Sequence, residues 1–439
     1  MSLILVIASI LILLVLIILF KVNAFISFIV VSVLLGIVSG FPPGEVVLSI
    51  QKGIGDTLGT LVLILGFGAM LGKLIADSGA AQRIASVLVS LFGLKYIQWA
   101  MVFTGFIVGI PLFYNAGFVV LIPIVFTIAA STGLPLLYVG IPMIASLSVT
   151  HGLLPPHPSP VAIAGMFGAD TGKILIYGII IAIPVIIVAG PIFSRTLKKI
   201  RASPIREFVN PITLKDHETP GIGISLLSTL MPLILIGGSS VMKMIVNGEG
   251  PAGSIFRFIG DPVIAMLISL LAAVYLLGLS RGKKMVDLMD SLGQSISAIT
   301  MILLIIAGAG GFKQVLLDCN LSDDIASVLS KSNLSPIFLA WSLAALLRIC
   351  VGSATVAGLT TAGIILPLAS GGTVNKELLV LAIGSGSLIL SHVNDGGFWM
   401  FKEYFSLTIK ETLLSWTVME TLISILGLAG VLLLNIIIR

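Results

Sequence analysis

From Tyr96 to Ala169 the chain runs for 74 residues without an Asp, Glu, Lys or Arg. That is long enough for three or more passes through a bilayer, each of which needs about 20 apolar residues. It is no smooth series of helices, because Gly105, Gly109, Pro111, Asn115, Gly117, Pro123, Gly133, Pro135, Gly140 and Pro142 divide it. The sharpest interruption lies near its end, IPMIASLSVTHGLLPPHPSP (141–160). There Pro155, Pro156, Pro158 and Pro160 follow Thr150 and His151 and enclose His157. Each proline lacks the N–H that would bond to residue i−4. Backbone broken at membrane depth persists only where protein or a water-filled cavity covers it. A second stretch, IGSGSLILSHVNDGGFW (383–399), breaks in the same manner at Ser391, His392, Asn394 and Asp395. The pair predicts two halves of one polar site.

Composition fixes the solvent. The chain is 57% hydrophobic and 10% charged, with a mean hydropathy of +1.19, against about 25% charge in soluble domains. This predicts an all-α polytopic membrane protein whose partner is the lipid bilayer. A β-barrel is excluded, since its strands would alternate polar and apolar residues. The net charge of +5 is spread over loops between apolar segments, so no nucleic-acid partner is expected. Cys319 and Cys350 have no metal-ligand spacing, and neither a metal nor a cofactor is expected. Residues 2–20 lack a basic start and a small-residue cleavage site, and read as a retained first span.

Apolar runs at 3–20, 24–40, 57–75, 174–193, 223–246, 261–280, 296–317, 335–350, 354–369, 378–392 and 415–437, together with the uncharged stretch, predict about 12 membrane-spanning segments plus re-entrant or broken helices. Residues 45–56 read as a short amphipathic connector. The second half echoes the first at an offset of 241 residues: IASVL at 84–88 recurs at 325–329, Asp77 as Asp318, and His151 as His392. We read an N-terminal repeat (1–200), a polar cytoplasmic linker (201–221) and a C-terminal repeat (222–439). The basic loops Arg195–Arg206 and Arg281–Lys284 are two spans apart, so both can face the cytoplasm. Corresponding loops have opposite charge, Arg83 and Lys95 against Asp323 and Asp324, as an inverted-topology repeat requires. Inverted repeats with discontinuous helices are a common secondary-transporter plan.

Four polar zones interrupt the apolar background: Gly109–Gly117, the Thr150–Pro158 region, Arg348–Thr355, and Ser391–Gly397. They predict two re-entrant hairpins or broken helices facing two unwound ones. Such a site suits a small hydroxylated anion. Helix N-termini offer unpaired N–H groups to a carboxylate. The candidate ligand contacts are Asn115, His151, Arg348, Ser353, Thr355, His392 and Asn394, with Arg348 as the guanidinium fork. Asp395 and His157 are the candidate proton carriers. An ion pair between Arg348 and Asp395 would account for both residues without a ligand. Gly66–Gly72 lacks the context of a phosphate-binding loop and reads as close helix packing.

The stretches GFGAMLGK (66–73), PLLYVG (135–140), LSVTHG (147–152), LPPHP (154–158), VGSATV (351–356), SHVND (391–395) and GFW (397–399) make the chain resemble the gluconate permease family of bacterial proton symporters over essentially its whole length. The resemblance implies a multi-pass protein of the bacterial inner membrane, not an enzyme, that imports gluconate or a related sugar acid with protons. Some members take idonate, fructuronate, glycerate or D-serine. It places His151, Pro155, Pro156, His157, Ser353, Thr355, His392, Asn394 and Asp395 on the family's characteristic positions. The sequence does not determine an oligomeric state, and a homo-oligomer is compatible with it. Three positions depart from the family pattern. Asn115-Ala116-Gly117 stands where Glu-Val-Gly is frequent, Ser159 where Gly is, and Asp395-Gly396-Gly397 where Asp-Pro-Gly is. The absent glutamate implies that coupling uses another group or that the substrate differs. The rival readings are an anion channel or facilitator, which would show no uphill accumulation, and an intramembrane enzyme using His151, His392 and Asp395.

Overall fold

The computed structural model consists of helices and the turns that join them. It describes all residues except 1–4, 6–7, 10, 14, 204–213, 216–217, 246–249, 320–334, 371–373, 393–394 and 439. Among the described residues no strand occurs. Among the described residues six helices are able, by length and composition, to cross a membrane, or up to eight if each of two bent pairs forms one span.

The first half contains α1 (Ala24–Val38), α2 (Pro43–Asp77), α3 (Ala80–Phe92), α4 (Ile97–Gly109), α5 (Tyr114–Thr132), α6 (Leu136–Leu153), α7 (Pro158–Phe167) and α8 (Thr171–Ile187). The second contains α9 (Ile222–Ile245), α10 (Gly250–Ile259), α11 (Pro262–Ala273), α12 (Met285–Asp318), α13 (Pro336–Val351), α14 (Ala354–Ser370), α15 (Lys376–Gly386), α16 (Gly396–Tyr404) and α17 (Val418–Ile437). A π-helical turn at Leu413–Thr417 joins Ile409–Thr412 to α17.

Residues 45–56 are no separate connector. They form the first part of α2, which bends by 44° between Gly59 and Val62. Lys52 and Asp56 pair across one turn at 2.7 Å on its exposed face, while Gly53 faces α12. A Cβ on Gly53 would lie 2.3 Å from the Gly310 carbonyl oxygen, so the two longest helices cross where neither has a side chain. This is the small-residue contact that lets membrane helices approach closely. Gly53→Ala is therefore expected to lower the thermal unfolding midpoint of the detergent-solubilised protein, since overpacking costs about 1–3 kcal/mol. Gly55→Ala, whose Cβ meets nothing within 4 Å, is expected to leave it unchanged or raise it slightly.

α6 lies at the centre. Nearly all of its residues are buried, polar Ser146, Ser148 and Thr150 included, and it packs against α4, α5, α8, α15 and α17. A helix buried on every side needs no amphipathic pattern, which explains why 136–149 carries no charged face.

Candidate functional site

Four helix breaks lead into the site. α4 ends at Gly109, ahead of Pro111, and α5 restarts at Tyr114. α6 stops at Leu153 before the two prolines, and α7 restarts at Pro158, where the missing N–H costs nothing. α13 ends on Gly352 in the left-handed region (φ 77°), whose N–H reaches the Arg348 carbonyl at 2.9 Å. That conformation suits glycine, and it turns the chain directly into α14. α15 ends at Gly386, and α16 begins after Asp395, which caps it by accepting the Gly397 N–H at 2.9 Å.

The four restarts meet. Phe113, Tyr114 and Asn115 from α5, Pro158 from α7, Ser353, Ala354 and Thr355 from α14, and Asp395, Gly396 and Gly397 from α16 line one cavity of ≈ 620 Å³. Ser148, His151, Arg348, Trp416 and Glu420 complete its wall, with Ile305, Val351 and Leu388 as apolar contacts. Four helix N-termini thus open on one space. First-turn N–H groups have no intrahelical partner and favour negative charge; α7, which begins Pro158-Ser159-Pro160, brings one such N–H, and side chains already take the Val356 and Gly397 N–H groups of α14 and α16.

Arg348 is the fixed cation. It is buried, and its Nη2 donates to Asp395 Oδ2. Its Nε and Nη1 have no partner among the described residues, and donors of this kind are able to grip a carboxylate. Asp395 is held from three sides: Arg348, the Ser391 hydroxyl and the Gly397 N–H. Ser391 in turn accepts the Trp416 indole N–H at 2.7 Å. Trp416 lies against Tyr114, with ring centres 5.7 Å apart, so the network ties the start of α5 to Ser391 and Asp395.

The histidines separate. His151 lines the cavity, 6.2 Å from the Tyr114 ring centre. His157 is buried behind it, with ring centres 5.2 Å apart, and its Nε2–H donates to the Gly109 carbonyl at 2.7 Å. His392 is no part of the lining; its Nε2–H donates to the Ile349 carbonyl at 3.1 Å. His157 and His392 therefore do comparable work, each tying an unwound segment to the last turn of a neighbouring helix. Of the sequence-predicted residues, Asn115, His151, Arg348, Ser353, Thr355 and Asp395 meet at the cavity. Asn394 lies outside the described residues. Among the described residues no group of three His, Cys, Asp or Glu side chains is arranged to hold a metal.

Three wall residues escaped sequence reasoning: Ser148, Trp416 and Glu420. Glu420 had a signal, as the single acid in the apolar run 415–437. It is buried, and its Oε1 accepts the Ser148 hydroxyl at 2.6 Å.

The sequence profile of GntP family permeases matches residues 1–437. The chain belongs to the GntP permease family. This permease is 52% identical over its full length, and that of its relative, to a high-affinity gluconate transporter of Escherichia coli K12. It is 50% identical to the Gnt-II system L-idonate transporter of the same strain, with 99% of each chain covered. A gluconate permease of Bacillus subtilis 168 is also 50% identical, with both chains covered in full. Among solved structures, the Alcanivorax borkumensis YdaH transporter superposes with a TM-score of 0.70 at 18% identity, covering 94% of this chain and 97% of that one. Neisseria gonorrhoeae MtrF gives 0.61 at 17%, covering 94% of each. These two share the GntP permease's fold. The protein is a multi-pass membrane transporter, not an enzyme.

Proposed function

We propose that this permease imports gluconate or a closely related sugar acid together with protons, by alternating access, across a bacterial inner membrane. The observation that carries the reading is the convergence of four helix N-termini and the half-free Arg348 fork on one cavity. In this arrangement the carboxylate takes Nε and Nη1 of Arg348. Asn115, His151, Ser353 and Thr355 order the carbon-bound hydroxyls, each able to donate and accept. The cavity's ≈ 620 Å³ falls in the range of small-molecule sites, roughly 300–1,000 Å³.

The two-repeat organisation, 1–200 and 222–439 around the linker 201–221, has support in the packing. α1 packs on α12 as α11 packs on α2, α4 on α6 as α13 on α15, and α8 on α6 as α17 on α15. α2 and α12 end 241 residues apart, at Asp77 and Asp318. Counting the hairpin arms and short helices as partial or full crossings brings the tally towards 12 segments.

The test is uptake of labelled gluconate into proteoliposomes under an imposed, outside-acid proton gradient. Accumulation above equilibrium that a protonophore abolishes is expected. Equilibration without accumulation would select a facilitator instead. The L-idonate transporter at 50% identity favours a second substrate of the same class. Unlabelled L-idonate, which differs from gluconate at one hydroxyl-bearing carbon, is expected to compete within about tenfold of gluconate. Fructuronate and glycerate are expected to compete more weakly.

A further inference from the structure

The proton needs a residue, and the sequence nominated Asp395 and His157. The geometry points elsewhere. Asp395 already carries a counter-charge in Arg348 and accepts from Ser391 and the Gly397 N–H, so a proton on it would forfeit a buried ion pair. His157 donates from Nε2 to a backbone carbonyl. A proton on its free Nδ1 would create a buried cation beside His151, and neither histidine forms an ion pair among the described residues.

Glu420 differs in each respect. It is only 2% exposed yet lines the cavity. One oxygen holds the Ser148 hydroxyl and the other, Oε2, is buried with no partner among the described residues. Among the described residues no cation is paired with it. Carboxylates in the interior of membrane proteins are costly and mark ion pathways and proton relays. Taking a proton removes a charge there instead of creating one.

We propose that Glu420 is the residue that binds and releases the transported proton, with Ser148 as its positioning partner. The inference rests on the symport reading above. The step balances simply: the Glu420 carboxylate takes a proton from water on the outside and returns it to water on the inside, and no other bond changes. Coupling follows from charge. With Glu420 ionised, the cavity holds two carboxylates against one guanidinium, and a third from the substrate is opposed. With Glu420 protonated, Arg348 and the helix N-termini act on the substrate against Asp395 alone. Proton binding and anion binding therefore strengthen each other by the same factor.

The other ionisable groups near Glu420 are Tyr114 from α5, His151 from α6, Arg348 from α13 and Asp395 at the start of α16. α15 and α8 also pack on α17, but they run antiparallel to it. Asn375 and Leu378, which flank Lys376 and Glu377, lie with Asn435 at its far end, as does Asp170, whose N–H bonds to Glu377; Ile181 of α8 lies against Gly430, so Lys173 and Tyr177 fall between there and that end, away from Glu420.

The experiment compares two activities in proteoliposomes: uphill gluconate accumulation under a proton gradient, and gluconate–gluconate exchange without one. Glu420→Gln is expected to lose accumulation entirely, to slow exchange by less than about tenfold, and to make exchange insensitive to pH. Glu420→Asp is expected to restore part of the accumulation, and Ser148→Ala to weaken it without abolishing it. Undiminished accumulation by Glu420→Gln, with wild type also accumulating, would overturn the inference and leave symport standing. Failure of wild type to accumulate would instead overturn symport itself. A wild-type measurement guards against a Gln variant that fails to fold. Dicyclohexylcarbodiimide attacks protonated buried carboxyls, so mass spectrometry should find Glu420 labelled more at acid pH and protected by gluconate. Labelling absent from Glu420, or independent of pH, would also overturn it.

Discussion

Arg348→Met should reduce gluconate uptake by at least about 100-fold and destabilise the protein, and the two effects should separate. Hydrogen bonds to a charged partner contribute about 1.5–3 kcal/mol each, and each 1.4 kcal/mol is tenfold in affinity. Losing the Nε and Nη1 donors from a carboxylate thus accounts for roughly two orders of magnitude. The stability loss has another origin. Without Arg348 the Asp395 carboxylate keeps only Ser391 and a backbone N–H, and breaking one side of a buried pair costs about 3–5 kcal/mol. The double variant Arg348→Met/Asp395→Asn removes both charges. It should recover most of the thermal stability in detergent, as replaced ion pairs commonly do, while uptake stays lost. Arg348→Lys keeps the charge but not the planar fork, and should sit between wild type and Met. Normal uptake by the double variant would show that the pair serves the fold alone, the very possibility that the sequence left open.

What the sequence revealed and what it hid divide along one physical line. Pro155, Pro156 and Gly352 act locally, through a missing N–H or a backbone conformation, so the helix breaks were readable before any packing was known. Residues beside those breaks, Asn115, Ser353, Thr355 and Asp395, were found with them. Ser148 and Glu420 sit on regular helices, α6 and α17, and only the packing of α17 against α6 joins them. Periodicity carries no signal for such a meeting. Register misled in one respect. His151 and His392 share the 241-residue offset, yet the first faces the cavity and the second holds the Ile349 carbonyl. Hydropathy also treats a hairpin arm and a full span alike. The apolar stretches of α13 and α14, Pro336–Ile349 and Ala354–Leu366, are shorter than the six helices long enough to cross among the described residues, yet hydropathy gave them the same weight. The glycines and charges of 45–56 read as a connector because Gly53 finds its reason only in Gly310.

His157→Ala is the second substitution expected to act strongly, through geometry and not through proton transfer. The last carbonyls of α4 have no helical partner, and His157 satisfies that of Gly109 at 2.7 Å. The bond spans two breaks at once, since Gly109 ends α4 and His157 precedes the first residue of α7. Phe113 and Pro158, just beyond those two points, both line the cavity. Truncation leaves a buried carbonyl unpaired, at about 1–3 kcal/mol, and empties the space between the His151 and Phe113 rings, 5.2 and 6.3 Å away. Uptake should fall at least about tenfold, because small displacements of positioning groups are costly, and the unfolding midpoint should fall with it. His157→Gln separates the possible roles. Its amide N–H can still donate to Gly109, so a positioning residue is largely rescued, with accumulation and exchange recovering together. A proton carrier would not be rescued, because an amide cannot titrate: exchange would return while accumulation stayed lost. That second pattern would move the proton from Glu420 to His157. The matching bond from His392 to Ile349 is longer, at 3.1 Å, and its ring is only half-buried. His392→Ala should therefore show the same two losses in smaller measure.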